Sequence, residues 1–157
     1  MVEKAFLEIV EKHQGIIYKV CKMYRDSPED QEDLFQEIVL QLWKAFPKFR
    51  EESKVGTWIY RIALNTAIAI FRRNKIELDL NTALPENGPS EYTGHSSEKE
   101  EKIFEAIRKL KDGEKAVIGL FLEEYNYKEI GWITGITENN VAVKISRIKE
   151  KLKNILN

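Results

Sequence analysis

Residues 53 to 75 hold five cations, Lys54, Arg61, Arg72, Arg73 and Lys75, and no acid, with Trp58, Tyr60 and Phe71 interleaved among them. Aromatic faces stack on unpaired bases and cations follow a phosphate backbone, so this mixture suits single-stranded or melted DNA. Core packing is the competing account of Trp58 and Phe71, because aromatics at helical spacing usually serve a core. The absence of acids over the whole stretch, in a chain with 26 Asp and Glu, favours a phosphate partner. A second basic block closes the chain, where Asn139, Asn140, Lys144, Arg147 and Lys149 bring amide and cationic groups suited to base edges and phosphates in a major groove. A third cluster is acidic: Asp30, Asp33 and Glu37 share one helical face, as a metal-dependent hydrolase would require. They have no His at useful spacing, and the chain offers neither a glycine-rich phosphate cradle nor a Ser/His/Asp set. Solvated acids near a helix start explain them better, and no enzyme activity, metal or cofactor is expected.

These groups need elements to hold them. From Phe6 to Met23 the apolar positions Phe6, Leu7, Ile9, Val10, Ile16, Ile17, Val20 and Met23 recur at three- and four-residue steps, which predicts a helix with one buried stripe and a weak point at Gly15. Ser27-Pro28-Glu29-Asp30 is a start signal, with a cap, a proline at the first helical position and acids at the positive end of the dipole. That helix runs to about Phe46, where Pro47 ends it. A third opens near Ser53 or Thr57 and continues to about Arg73. Helical period then disappears as Pro85, Gly88, Pro89, Ser90 and Gly94 accumulate among acids, which predicts an exposed, flexible linker. A helical hairpin follows, about 97–110 and 113–123, joined at Asp112-Gly113. The tail predicts a short helix 127–134, a glycine turn at 135–137 and a longer helix 138–155. In this helix-turn-helix layout Ile130, Ile133, Ile136, Val141 and Ile145 form the shared face and Thr137 caps the second helix. The expected class is all-α: two small helical domains joined by a flexible linker, at 1–75, 76–97 and 98–157, the C-terminal one a helix-turn-helix.

A formal net charge of -1 over 157 residues argues against a nucleic-acid partner only when it is averaged. The stretch 53–75 carries +5 and 138–157 carries +3, while 76–101 between them carries -6, a two-point basic pattern that suits a two-point reader. One cysteine, Cys21, excludes an internal disulfide framework, and with His13 and His95 it cannot assemble a zinc cluster; a small buried role suits the cysteine, and packing or surface roles the histidines. The start of the chain reads as neither a secretion signal nor a membrane span, so a reducing, cytoplasmic setting without membrane insertion is the expectation.

Three stretches, in order, resemble the extracytoplasmic-function sigma factors. Asp30-Gln31-Glu32-Asp33-Leu34-Phe35-Gln36-Glu37 through Trp43 resembles their "DxEDLxQEvFlrlW" polymerase-binding helix. Phe49 to Arg73, with Thr57-Trp58-Ile59-Tyr60-Arg61-Ile62-Ala63-Leu64-Asn65, is similar to their minus-ten segment "F.TWLyrIArN". Lys128-Glu129-Ile130-Gly131 followed by Val141 to Leu152 resembles their minus-thirty-five helix-turn-helix.

The resemblance implies a sigma factor that binds core RNA polymerase and directs initiation at promoter DNA. Asp33, Leu34, Gln36, Glu37, Leu40 and Trp43 would meet the clamp helices of the largest subunit, and the flap of the second-largest subunit would be a further contact. Phe49, Arg50, Ser53 and Lys54 would form a pocket for a base flipped from the non-template strand, readable on its Watson-Crick edge. Trp58, Tyr60, Arg61, Asn65, Arg72 and Arg73 would line the neighbouring strand path. Lys128, Asn139, Asn140, Ala142, Val143, Lys144, Ser146, Arg147 and Lys149 would serve the minus-thirty-five element. Where the family often has Arg and Ser this chain has Ala142 and Val143, which implies phosphate contacts and DNA shape in place of direct base readout there. An anti-sigma factor that masks both domains is implied too. The other reading of the tail is a helix-turn-helix regulator that does not bind core polymerase.

Overall fold

A computed structural model describes residues 2–49, 54–80 and 98–157, with backbone alone for 71–80. The chain divides into two compact units, Met1–Thr93 and Gly94–Asn157. Among the described residues every regular element is helical.

The first unit contains α1 (Val2–Tyr24), α2 (Pro28–Ala45), a single 3-10 turn (Phe46–Lys48) and α3 (Val55–Leu80). In α1 the helical backbone breaks at His13, with φ -111° and ψ 15°, two residues before the expected weak point at Gly15. The His13 Nδ1 donates to the Ile9 carbonyl at 2.9 Å, one turn back on the same helix. Leu7, expected in the buried stripe, is exposed, while Phe6, Ile17, Val20, Cys21, Met23 and Tyr24 are buried. Ser27 caps α2 by accepting from the Asp30 amide at 3.2 Å, Pro28 is its first residue, and the helix yields to the 3-10 turn at Phe46-Pro47. α3 packs on both α1 and α2. Its buried face is therefore wide, including Ile59, Tyr60, Ala63, Leu64 and Ala67. It also extends to Leu80, through residues expected in the linker. The rest of that linker, 81–97, lies outside the described residues.

The second unit contains α4 (Glu98–Arg108), α5 (Asp112–Leu122), α6 (Tyr127–Thr134) and α7 (Glu138–Leu156), with α7 packed on the other three. The turn between α4 and α5 falls at 109–111, one step before the expected Asp112-Gly113 joint, because Asp112 already belongs to α5. Asn126 and Glu129 close a reciprocal cap on α6: the Glu129 amide donates to Asn126 Oδ1 at 2.8 Å and the Asn126 amide to Glu129 Oε1 at 3.1 Å. Lys151 on α7 donates to Glu114 on α5 at 2.7 Å and ties the long helix to the hairpin. Lys115 is buried in α5, and burial lowers its pKa, with Arg108 acting in the same direction and Asp112 against it.

Candidate functional site

Residues three and four apart lie on one side of a helix. In α2 this places Asp33, Gln36, Leu40 and Trp43 on a single exposed stripe that begins acidic and ends apolar. Leu40 and Trp43 keep 43% and 39% of their surface open. Glu37 is half-buried beside the stripe and accepts from Gln41 Nε2 at 3.1 Å. Leu34 corrects the sequence expectation. With Ile38 and Leu42 it forms the opposite, buried face, retains 2% exposure and has no surface to offer a partner.

The stripe borders a groove of roughly 430 Å³ whose second wall is α1, through Glu3, Phe6 and Leu7. Phe6 packs on Trp43 at 5.0 Å between ring centroids and holds the indole at the groove's end. This wall was missed from sequence. The signal available was Leu7, adjacent to Phe6 and therefore about 100° away from it around the helix. Asp30 pairs with Arg25 at 3.2 Å, while Asp33 is exposed. Among the described residues no group of three or more His, Cys, Asp and Glu could hold a metal ion.

On α3 the exposed stripe is Arg61, Asn65 and Ala69. Tyr60 is the second correction. At 1% exposure it belongs to the core between α3 and its neighbours, and the strand path cannot include its ring without opening the unit. Trp58 is half-buried in an aromatic cluster, 4.5 Å from the half-buried Phe49 and 6.3 Å from Phe46. Lys54 is exposed at the helix start. Arg50 and Ser53 lie outside the described residues, and Arg72 and Arg73 are described in backbone only, within α3.

The helix-turn-helix is built around glycine. Gly135 ends α6 in the left-handed region at φ 79°, and the Gly135 and Ile136 amides both donate to the Gly131 carbonyl, at 2.8 and 3.1 Å. A Cβ on Gly131 would lie 2.6 Å from the Ile136 carbonyl oxygen, so the close approach of the turn requires glycine there. Thr137 caps α7, accepting from the Asn140 amide at 3.1 Å. Ile130, Val141 and Ile145 are buried between α6 and α7, and Ile133 and Ile136 are half-buried at the rim. Opposite that core, α7 exposes Asn139, Asn140, Val143, Ser146 and Arg147. Ala142 and Lys144 are half-buried on its flanks, and the Lys149 ammonium rests 4.6 Å above the Phe121 ring. Lys128 is exposed on α6 beside Trp132, which is 64% exposed and was not singled out from sequence.

Comparison with known proteins agrees with this geometry in both units. Residues 9–76 match the model of sigma-70 region 2, and residues 100–152 match that of sigma-70 region 4. The ECF RNA polymerase sigma factor SigW of Bacillus subtilis is 30% identical over 96% of this chain and 88% of its own length. An ECF RNA polymerase sigma-E factor of Haemophilus influenzae is 31% identical over 97% and 87%. Among solved structures, the sigma factor RpoE bound to the anti-sigma factor NepR from Bartonella quintana superposes with a TM-score of 0.79 at 17% identity, covering 98% of this chain and 97% of that one. CnrH in complex with the cytosolic domain of CnrY gives 0.69 at 20% identity, over 98% and 88%. The chain belongs to the ECF RNA polymerase sigma factors.

Proposed function

We propose that this chain binds core RNA polymerase through its first unit and carries it to promoter DNA, with the two units dividing the work at about residues 75 and 98. The exposed stripe Asp33, Gln36, Leu40 and Trp43 is the observation that carries the reading. A free-standing helix-turn-helix regulator has no use for a solvent-facing Leu and Trp behind an acidic helix start, whereas a helical polymerase element finds there an apolar seat with a charged rim. Arg61 and Asn65, exposed beside the Trp58 cluster, support a path for the melted minus-ten strand. Arg50, Ser53, Arg72 and Arg73 join that path on sequence resemblance alone. The outer face of α7 supports duplex binding at the minus-thirty-five element, with Lys128 and Lys144 beside it.

In this reading the chain has no catalytic residue, because bond formation belongs to the polymerase, and it works in the cytoplasm. An anti-sigma factor that covers both units is proposed as its regulator, by analogy with the NepR-bound relative. The test is run-off transcription by core polymerase with and without the protein over a randomised promoter library, paired with a native gel of the mixture. A shifted polymerase band with a selected two-part promoter is expected. A folded protein that leaves the polymerase band unmoved overturns the proposal.

A further inference from the structure

One residue on the outer face of α7 does not belong with its neighbours. Val143 is 43% exposed, at the centre of a surface otherwise made of Asn139, Asn140, Ser146 and Arg147. A β-branched residue at an exposed helix position gains little from burial and loses side-chain freedom, so helix stability does not account for it. Its position suits another use. Thr137 is the cap of α7, and residues in the first two turns of the second helix of a helix-turn-helix are those that reach base edges. Val143 lies four residues after Asn139 and four before Arg147, so all three follow one line along the helix.

We propose that Val143 reads the C5-methyl group of a thymine in the major groove of the minus-thirty-five element. In that groove the thymine methyl is the apolar feature that an aliphatic side chain recognises, while amide and guanidinium groups take the hydrogen-bonding edges. Neighbouring positions on the line are about 6 Å apart and successive base pairs about 3.4 Å, which puts this thymine one or two base pairs from the one facing Asn139, with Arg147 further along the line at the phosphate backbone. The absence of the family's Arg and Ser at 142 and 143 thus changes the type of base contact. Direct readout persists through an apolar contact, beyond the phosphate and shape recognition expected from sequence.

The inference rests on the sigma-factor reading, and the experiment separates the two. Holoenzyme assembled from the full chain and core polymerase first selects an element from randomised duplex. Each thymine in the selected upstream element is then replaced by deoxyuridine, which removes the methyl and leaves the hydrogen-bonding edge intact. One such replacement is expected to weaken binding about fourfold, the worth of one buried methyl group. In holoenzyme carrying Val143→Ala the same replacement is expected to change nothing, while Ser146→Ala leaves the penalty in place. Val143→Ala should melt at or slightly above the native temperature, because the side chain is outside the core and alanine is the better helix former. A selected element in which no deoxyuridine replacement weakens binding overturns the inference and leaves the sigma-factor reading standing, as does a penalty that survives Val143→Ala. Failure to select any element overturns both.

Discussion

Two glycines of this chain should respond in opposite directions to one added methyl group. At Gly131 the Cβ meets the Ile136 backbone oxygen, which cannot move without opening the turn, so Gly131→Ala should cost about 1–3 kcal/mol and lower the melting temperature of the second unit. At Gly15 a Cβ meets nothing within 4 Å and the residue is helical, so Gly15→Ala should stabilise by about 0.5–1 kcal/mol. Differential scanning calorimetry of the two variants reads both signs. Trp58 is intermediate between core and surface. Its ring packs on Phe49 and lies near Phe46, so Trp58→Ala should cost about 1–3 kcal/mol, below the full price of a core tryptophan. In addition it should slow opening of duplex promoters more than use of pre-melted ones. A stability loss with equal failure on both templates would make Trp58 purely structural. Cys21 is inert by comparison: burial, and then Glu32, push its thiol up to about 12, so thiol reagents should label it only when the chain unfolds.

At the scale of the element, α2 has two faces with separate tasks. Leu40→Asp puts a charge on the exposed stripe and should abolish the polymerase shift on a native gel with little change in melting temperature. Leu34→Ala on the other face should cost about 2–5 kcal/mol of stability. The contact between α5 and α7 makes a pH prediction. Burial alone would raise the Glu114 pKa, but the hydrogen bond from Lys151, the Lys111 amide and the two lysine charges overcome it and bring it below the ordinary carboxylate value. A folded pKa below the unfolded one gives stability that is present above the unfolded value and is lost as pH falls through the folded one. Melting temperature should therefore drop on acidification through that range, and Glu114→Gln should flatten this limb. An identical acid limb in the variant would show that the Lys151 contact contributes nothing.

For the whole molecule, the charge distribution predicts how binding answers salt. Each phosphate neutralised by a lysine or arginine adds about one unit to the slope of log affinity against log salt. Arg147→Ala and Lys144→Ala should each flatten the slope of holoenzyme binding by about one unit on every promoter tested, since phosphates carry no sequence information. Lys149 is a sharper case, because its ammonium already rests over Phe121. Lys149→Ala should change the slope by less than the other two.

Much of the fold was legible because its signals are local. Ser27, Asn126 with Glu129, and Thr137 bond to their own helix starts, and such bonds need no distant partner. The three motifs likewise follow chain order, and the helical period around each separates an outer from an inner side. Which residues occupy the inner side depends on how many neighbours a helix has, and one sequence window does not contain that number. Because α3 is covered by both α1 and α2, its buried arc widens to include Tyr60. Packing turned Leu34 inwards in the same way, while leaving Leu7 outside as the second wall of a groove. The kinds of chemistry this protein carries were determined by its sequence; tertiary packing decided which side chains remain free to use them, because burial is a property of several helices at once.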